Sequence, residues 1–78
     1  MNLQRPAPTA GAVGRRIRIQ IERYGLTVAR AARECDMSVP SLETYLYGKS
    51  LPGAFALANL ANGLRCSADW LLFGDADA

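Results

Sequence analysis

Residues 25–52 read Gly25-Leu-Thr-Val-Ala-Arg-Ala-Ala-Arg-Glu-Cys-Asp-Met-Ser-Val-Pro-Ser-Leu-Glu-Thr-Tyr-Leu-Tyr-Gly-Lys-Ser-Leu-Pro52. Thr27 can cap a short helix, and Arg30 stands where a capping-box Glu would sit, so the cap is single. Ala31, Ala32 and Cys35 form that helix's inner face, and small residues let two helices approach closely. Asp36 falls at a turn that needs a left-handed backbone, for which Asp is among the few substitutes for Gly. Ser38 caps a second short helix, with Pro40 in the first turn, where its missing N–H costs nothing. Leu42, Tyr45 and Leu46 make the inner face of this second helix. Val39, Ser41, Glu43, Thr44 and Tyr47 are left facing outward or to the side. Gly48 stops the helix, and Lys49 to Pro52 is a loop.

One short helix, a tight turn and a second short helix make a helix-turn-helix, an arrangement that places its second helix in the major groove of DNA. Nothing else in the chain carries chemistry. There is no His, no Gly-rich phosphate loop and no metal-ligand spacing around Cys35 or Cys66. No enzyme, metal or cofactor is therefore expected. Cys35 reads as a small core residue.

Outward from this segment the chain continues helical. Val13, Ile17, Ile21 and Tyr24 lie on one face of a helix over residues 12–24, which Gly25 ends. Residues 1–11 hold two prolines and no apolar periodicity and read as a flexible arm, with Arg5 read as part of a disordered leader in preference to a groove contact. A fourth helix runs from about Gly53 to Asn62, with Gly63 a local weakness. Ser67 caps a fifth helix, Ala68 to Phe73, which Gly74 ends. In it Trp70 and Leu71 are expected in the core and one of Leu72 and Phe73 exposed. Residues 75–78 read as a frayed tail. The organisation is an all-α domain of five helices over residues 12–74.

Half of the 78 residues are hydrophobic, enough for one compact core, and the net charge is +2. Residues 1–50 carry eight basic and four acidic side chains, whereas Arg65 faces three Asp in residues 51–78. A polyanion would approach the N-terminal half first. No apolar run is long enough to span a membrane and no signal-peptide pattern opens the chain, so a cytoplasmic location is expected.

Five anchors in order carry a resemblance: Arg16-Ile17-Arg18, Gly25-Leu26-Thr27, Ser38 with Leu42, Gly48-Lys49 with Pro52, and Asp69-Trp70-Leu71-Leu72 before Gly74. With them the chain resembles the lambda-repressor-like (Cro/repressor, xenobiotic-response-element type) helix-turn-helix domains. The resemblance implies a five-helix bundle that binds double-stranded operator DNA, usually as a homodimer that can form only on the DNA. It implies a recognition helix that Ser38 opens. Base-edge contacts fall to Val39, Pro40 and Thr44, with Ser41 and Glu43 as neighbours. Phosphate contacts fall to Thr27, Val28, Tyr47, Lys49 and Ser50, and to backbone N–H groups at the start of the preceding helix. A small dimer patch is implied around Arg65, Cys66 and Phe73.

The chain also departs from that family. Val28 stands where Gln is frequent and Asp36 where Gly is usual. Ile21 and Leu46 occupy positions that hold a buried Arg–Glu pair in many lambdoid phage repressors, and two apolar side chains there avoid the cost of burying two ions. They are expected to touch. The recognition helix has no Arg, Lys, Gln or Asn, the side chains that read G and A edges bidentately. Val39 and the Thr44 methyl suit thymine methyl groups, and DNA shape is left to supply part of the discrimination. The expected function is a bacterial or phage transcriptional regulator, most simply a repressor. The alternative is a protein-interaction module on the same fold, antitoxin- or coregulator-like.

Overall fold

The computed structural model describes residues 5–74, and the sequence's remaining ends, including the tail read as frayed, lie outside the described residues. Five helices follow one another: α1 Ala10–Arg23, α2 Val28–Glu34, α3 Val39–Leu46, α4 Ala54–Leu64 and α5 Ala68–Phe73, with no strand among the described residues. None of these helices is long and apolar enough to cross a membrane.

Local chemistry sets the helix ends. Thr27, Ser38 and Ser67 each cap a helix, their hydroxyls accepting from the backbone N–H groups of Arg30, Ser41 and Trp70 at 3.0, 3.2 and 2.9 Å. Each such cap is worth about 1 kcal/mol. Helix α2 ends as the Asp36 turn requires. Asp36 takes a φ of +54°, its N–H donates to the Arg33 carbonyl, and Met37 N–H donates to Ala32.

Helix α1 starts two residues earlier than its apolar spacing predicts. Thr9 accepts from Ala12 N–H at 3.2 Å and so begins the helix inside the stretch read as an arm. Tyr24 follows α1 as its C-cap and is 45% exposed, so the core stripe of that helix stops at Ile21. Helix α4 runs on through Gly63 to Leu64.

The core joins Val13, Ile17 and Ile21 of α1 to Ala31, Ala32, Cys35, Leu42, Leu46, Leu60, Leu64 and Leu71. Ile21 and Leu46 are both buried in this one cluster. Two glycines set how closely the helices meet. A Cβ on Gly14 would lie 2.6 Å from the Leu46 carbonyl oxygen and 2.9 Å from that of Tyr45, so α1 lies flush on the last turn of α3. A Cβ on Gly63 would lie 2.6 Å from both Cys35 Sγ and the Glu34 oxygen. Gly63 is thus the point where α4 crosses the end of α2, and its low helix propensity is offset by that approach.

Polar side chains tie α1 to the C-terminal helices. Arg16 Nη1 donates to the Leu71 and Leu72 carbonyls, each at 3.0 Å, satisfying the orphan carbonyls at the end of α5. Buried Gln20 donates through Nε2 to the Leu64 carbonyl at 2.8 Å and accepts from Arg23 at 2.7 Å. Arg5 pairs with Asp69 at 2.8 Å, and its guanidinium carbon sits 3.8 Å from the Phe73 ring centroid. Phe73, under Arg5, and Leu72, against the core, are both half-buried, where one of them was expected to be exposed.

Candidate nucleic-acid interface

Helix α3 is held from three sides. Its inner residues Leu42 and Leu46 are buried, its last carbonyls rest on Gly14, and α2 packs along it. The opposite side is what solvent meets. Pro40 and Ser41 are exposed in the first turn, Glu43 and Thr44 are half-buried, and Tyr47 at the C-cap is 54% exposed. Lys49 and Ser50 follow in the exposed loop. Thr27, at the start of α2, is exposed, and Val28 beside it is half-buried against the core.

The polar groups of α3 are partly committed to the helix itself. Ser38 Oγ accepts from Ser41 N–H while its own hydroxyl donates to Ser41 Oγ at 3.0 Å. Thr44 Oγ1 donates to the Pro40 carbonyl at 3.0 Å. The Thr44 hydroxyl hydrogen is therefore occupied, and what Thr44 offers outward is a methyl group and acceptor lone pairs. Val39 is half-buried and lines a cleft of about 480 Å³ at the turn with Ala29, Ala32, Arg33, Asp36, Met37 and Ser38. It is a partly packed side chain, less free to reach outward than Pro40 or Ser41.

Charge around this surface comes from neighbouring elements. Helix α3 carries only Glu43, whereas Arg30 and Arg33 of α2 are exposed and Lys49 follows α3. Arg30 is shared with Glu34 at 3.4 Å, an exposed pair of little energetic weight. No group of His, Cys, Asp or Glu that could hold a metal occurs among the described residues. The two thiols are free. Burial, with Cys66 and Glu34 nearby, pushes the Cys35 thiol up to about 11. Burial also raises Cys66, against the opposing pull of Arg23.

A family model described as a helix-turn-helix domain matches residues 12–71. The chain belongs to this family of helix-turn-helix domains. Among solved structures, it is similar to the P22 c2 repressor bound to a synthetic operator. The identity is 27% and the TM-score 0.75, over 81% of this chain and 96% of that one. The DNA-binding domain of the same repressor in solution gives 27% identity and a TM-score of 0.75, over 96% of this chain and 90% of that one. A restriction-modification controller protein from Aeromonas hydrophila shares the fold at 17% identity. There the TM-score is 0.74, with 81% of this chain and 96% of the other covered. No curated protein sequence matches the chain. These neighbours and the five-helix order make this helix-turn-helix chain a lambda-repressor-like domain, as the anchor residues implied.

Several residues that position the site gave no sequence signal of that role. Gly14 brings no side chain to the apolar stripe, and Gln20 reads as an ordinary polar residue. Arg16 lay in an anchor, but nothing in the anchor revealed that it caps α5.

Proposed function

We propose that this helix-turn-helix domain is a DNA-binding transcriptional regulator of the repressor type, reading an operator through α3. The observation that carries it is the pairing of a solvent-facing α3, fixed rigidly on Gly14 and the core, with its likeness over most of the chain to a repressor bound to operator DNA. Val39, Pro40 and Thr44 are the residues assigned to base edges, with Ser41 and Glu43 as their neighbours and Ser38 at the start of the helix. Thr27, Val28, Tyr47, Lys49 and Ser50 are assigned to the sugar-phosphate backbone. Two copies would occupy half-sites about 34 Å apart on one face of the duplex.

The absence of cations on α3 shapes this reading. Thr44 offers a methyl and an acceptor, Pro40 an apolar edge and Ser41 a hydroxyl, a set suited to thymine methyls and to groove shape more than to guanine. Affinity then comes chiefly from counterion release at Lys49 and the exposed arginines of α2, Arg30 and Arg33. The resemblance put Arg65, Cys66 and Phe73 beside the second copy. In the single chain Arg65 is exposed, Cys66 and Phe73 are half-buried, and Arg5 lies over the Phe73 ring.

The same feature favours one rival. A surface helix with a single charge, Glu43, also suits a protein-interaction module of the antitoxin or coregulator kind. Titrating fluorescent duplex DNA at a series of salt concentrations separates the two. A regulator binds with a steep salt slope, which Lys49→Ala lowers by about one. A protein-interaction module shows no binding even at low salt.

A further inference from the structure

From Ser50 to Leu64 the sequence runs through fifteen residues without one charged side chain. Most of that run is helix α4, and much of it faces solvent. Ala54, Phe55, Ala58 and Asn62 are exposed, and Leu51 just before the helix is 44% exposed. Phe55, Ala58 and Asn62 follow at spacings of three and four, so they share one face. Phe55 is 83% exposed, far more than any other large apolar side chain among the described residues. A small domain with little core to spare gains nothing by leaving a whole phenyl ring in water.

We propose that this α4 face, centred on Phe55, is where two copies of the chain pair about a two-fold axis. The inference rests on the two-copy reading given above and names its surface. Charge supports a second copy as the occupant. A two-fold interface brings a patch against itself, so any net charge on the patch meets its own sign. The other long faces carry charge: Arg15, Arg18, Glu22 and Arg23 on α1, Arg30, Arg33 and Glu34 on α2, and Asp69 on α5. Helix α3 carries Glu43, so among the described helices the α4 face alone meets itself with no like-charge repulsion, and an aromatic centre without charges is the composition of an interface core. A DNA backbone is the less suitable occupant, because no cation lies on this face and Lys49 is six residues before Phe55. One helix face supplies less than the about 1,200 Å² of a stable interface, so the pairing is weak without DNA.

The test follows backbone amide shifts of the DNA-free chain in heteronuclear NMR spectra from micromolar to millimolar concentration. Concentration-dependent shifts confined to Leu51–Asn62 and abolished by Phe55→Glu are expected. Ala58→Glu, on the same face, should act likewise, and unchanged thermal melts would show that both variants fold. Shifts centred on Arg65, Cys66 and Phe73, shifts that survive Phe55→Glu, or none in the millimolar range would overturn the proposal. No DNA enters this experiment, so its failure leaves the operator reading standing, and a failure to bind DNA leaves this result intact.

Discussion

Gln20 reaches across from α1 to donate a 2.8 Å hydrogen bond to the carbonyl of Leu64, the last residue of α4. Both residues are buried, at 1% and 0% exposure, so neither group has water as an alternative partner. The bond satisfies one of the orphan carbonyls that every helix end leaves. It also fixes the end of α4 where Arg65 turns left-handed, at a φ of +59°, on the way to α5. Replacing Gln20 by Leu should destabilise the domain by about 1–3 kcal/mol, the cost of stranding a buried acceptor. Urea denaturation of the two proteins measures it, and an unchanged midpoint would show that the Leu64 carbonyl has another partner.

Gly14→Ala sets two effects against each other. Alanine favours a helix by about 1 kcal/mol. The new methyl, however, would sit 2.6 Å from the Leu46 oxygen, a backbone atom that cannot swing aside. Overpacking of this kind costs about 1–3 kcal/mol, so the variant should melt at a lower temperature than the parent. It should also weaken DNA binding, because α3 moves with its carbonyls. A raised melting temperature would mean that α1 and α3 are not pressed together at Gly14.

These two residues mark the limit of what the sequence reveals. Helix caps, the Asp36 turn and the apolar faces were legible because each depends on neighbours within a turn or two. The capping roles of Gln20 and Arg16 depend on partners 44 and 55 residues away, and no local pattern carries that information. The early start of α1 was hidden by the prolines before Thr9. The exposure of Phe55 was hidden because α4 is apolar on most sides, so periodicity could not say which side faces out. At the candidate interface the residue types were legible, but the bond from Thr44 to Pro40, which removes a donor, was not.

The buried pair at Ile21 and Leu46 supports a double-mutant cycle. Ile21→Arg alone buries an unpaired charge and should cost about 3–5 kcal/mol. Adding Leu46→Glu should restore part of that loss if the two side chains touch. Thermal denaturation of the four proteins gives the coupling, and strictly additive losses would place the side chains apart.

The thiol of Cys35 makes stability pH-dependent. Its value of about 11 in the folded protein lies above the ordinary 9.0, so the unfolded chain loses the proton first as pH rises. Stability from this group is complete below pH 9 and is lost progressively as pH climbs towards 11. The full effect is about 3 kcal/mol at high pH. The measurement is the difference in stability between the parent and Cys35→Ala across that range. Parallel curves would show that burial does not hold the Cys35 proton.

Selection from a pool of random duplexes, followed by sequencing at two salt concentrations, measures whether α3 reads DNA sequence. The expected result is an enriched, roughly two-fold site, rich in thymine where Pro40 and Thr44 would approach, with affinity falling steeply as salt rises. Repeating the selection with Thr44→Ala should relax the preference at a symmetric pair of positions. No enrichment, with weak or absent binding at the lower salt, would mean that α3 does not read DNA and would point to a protein partner.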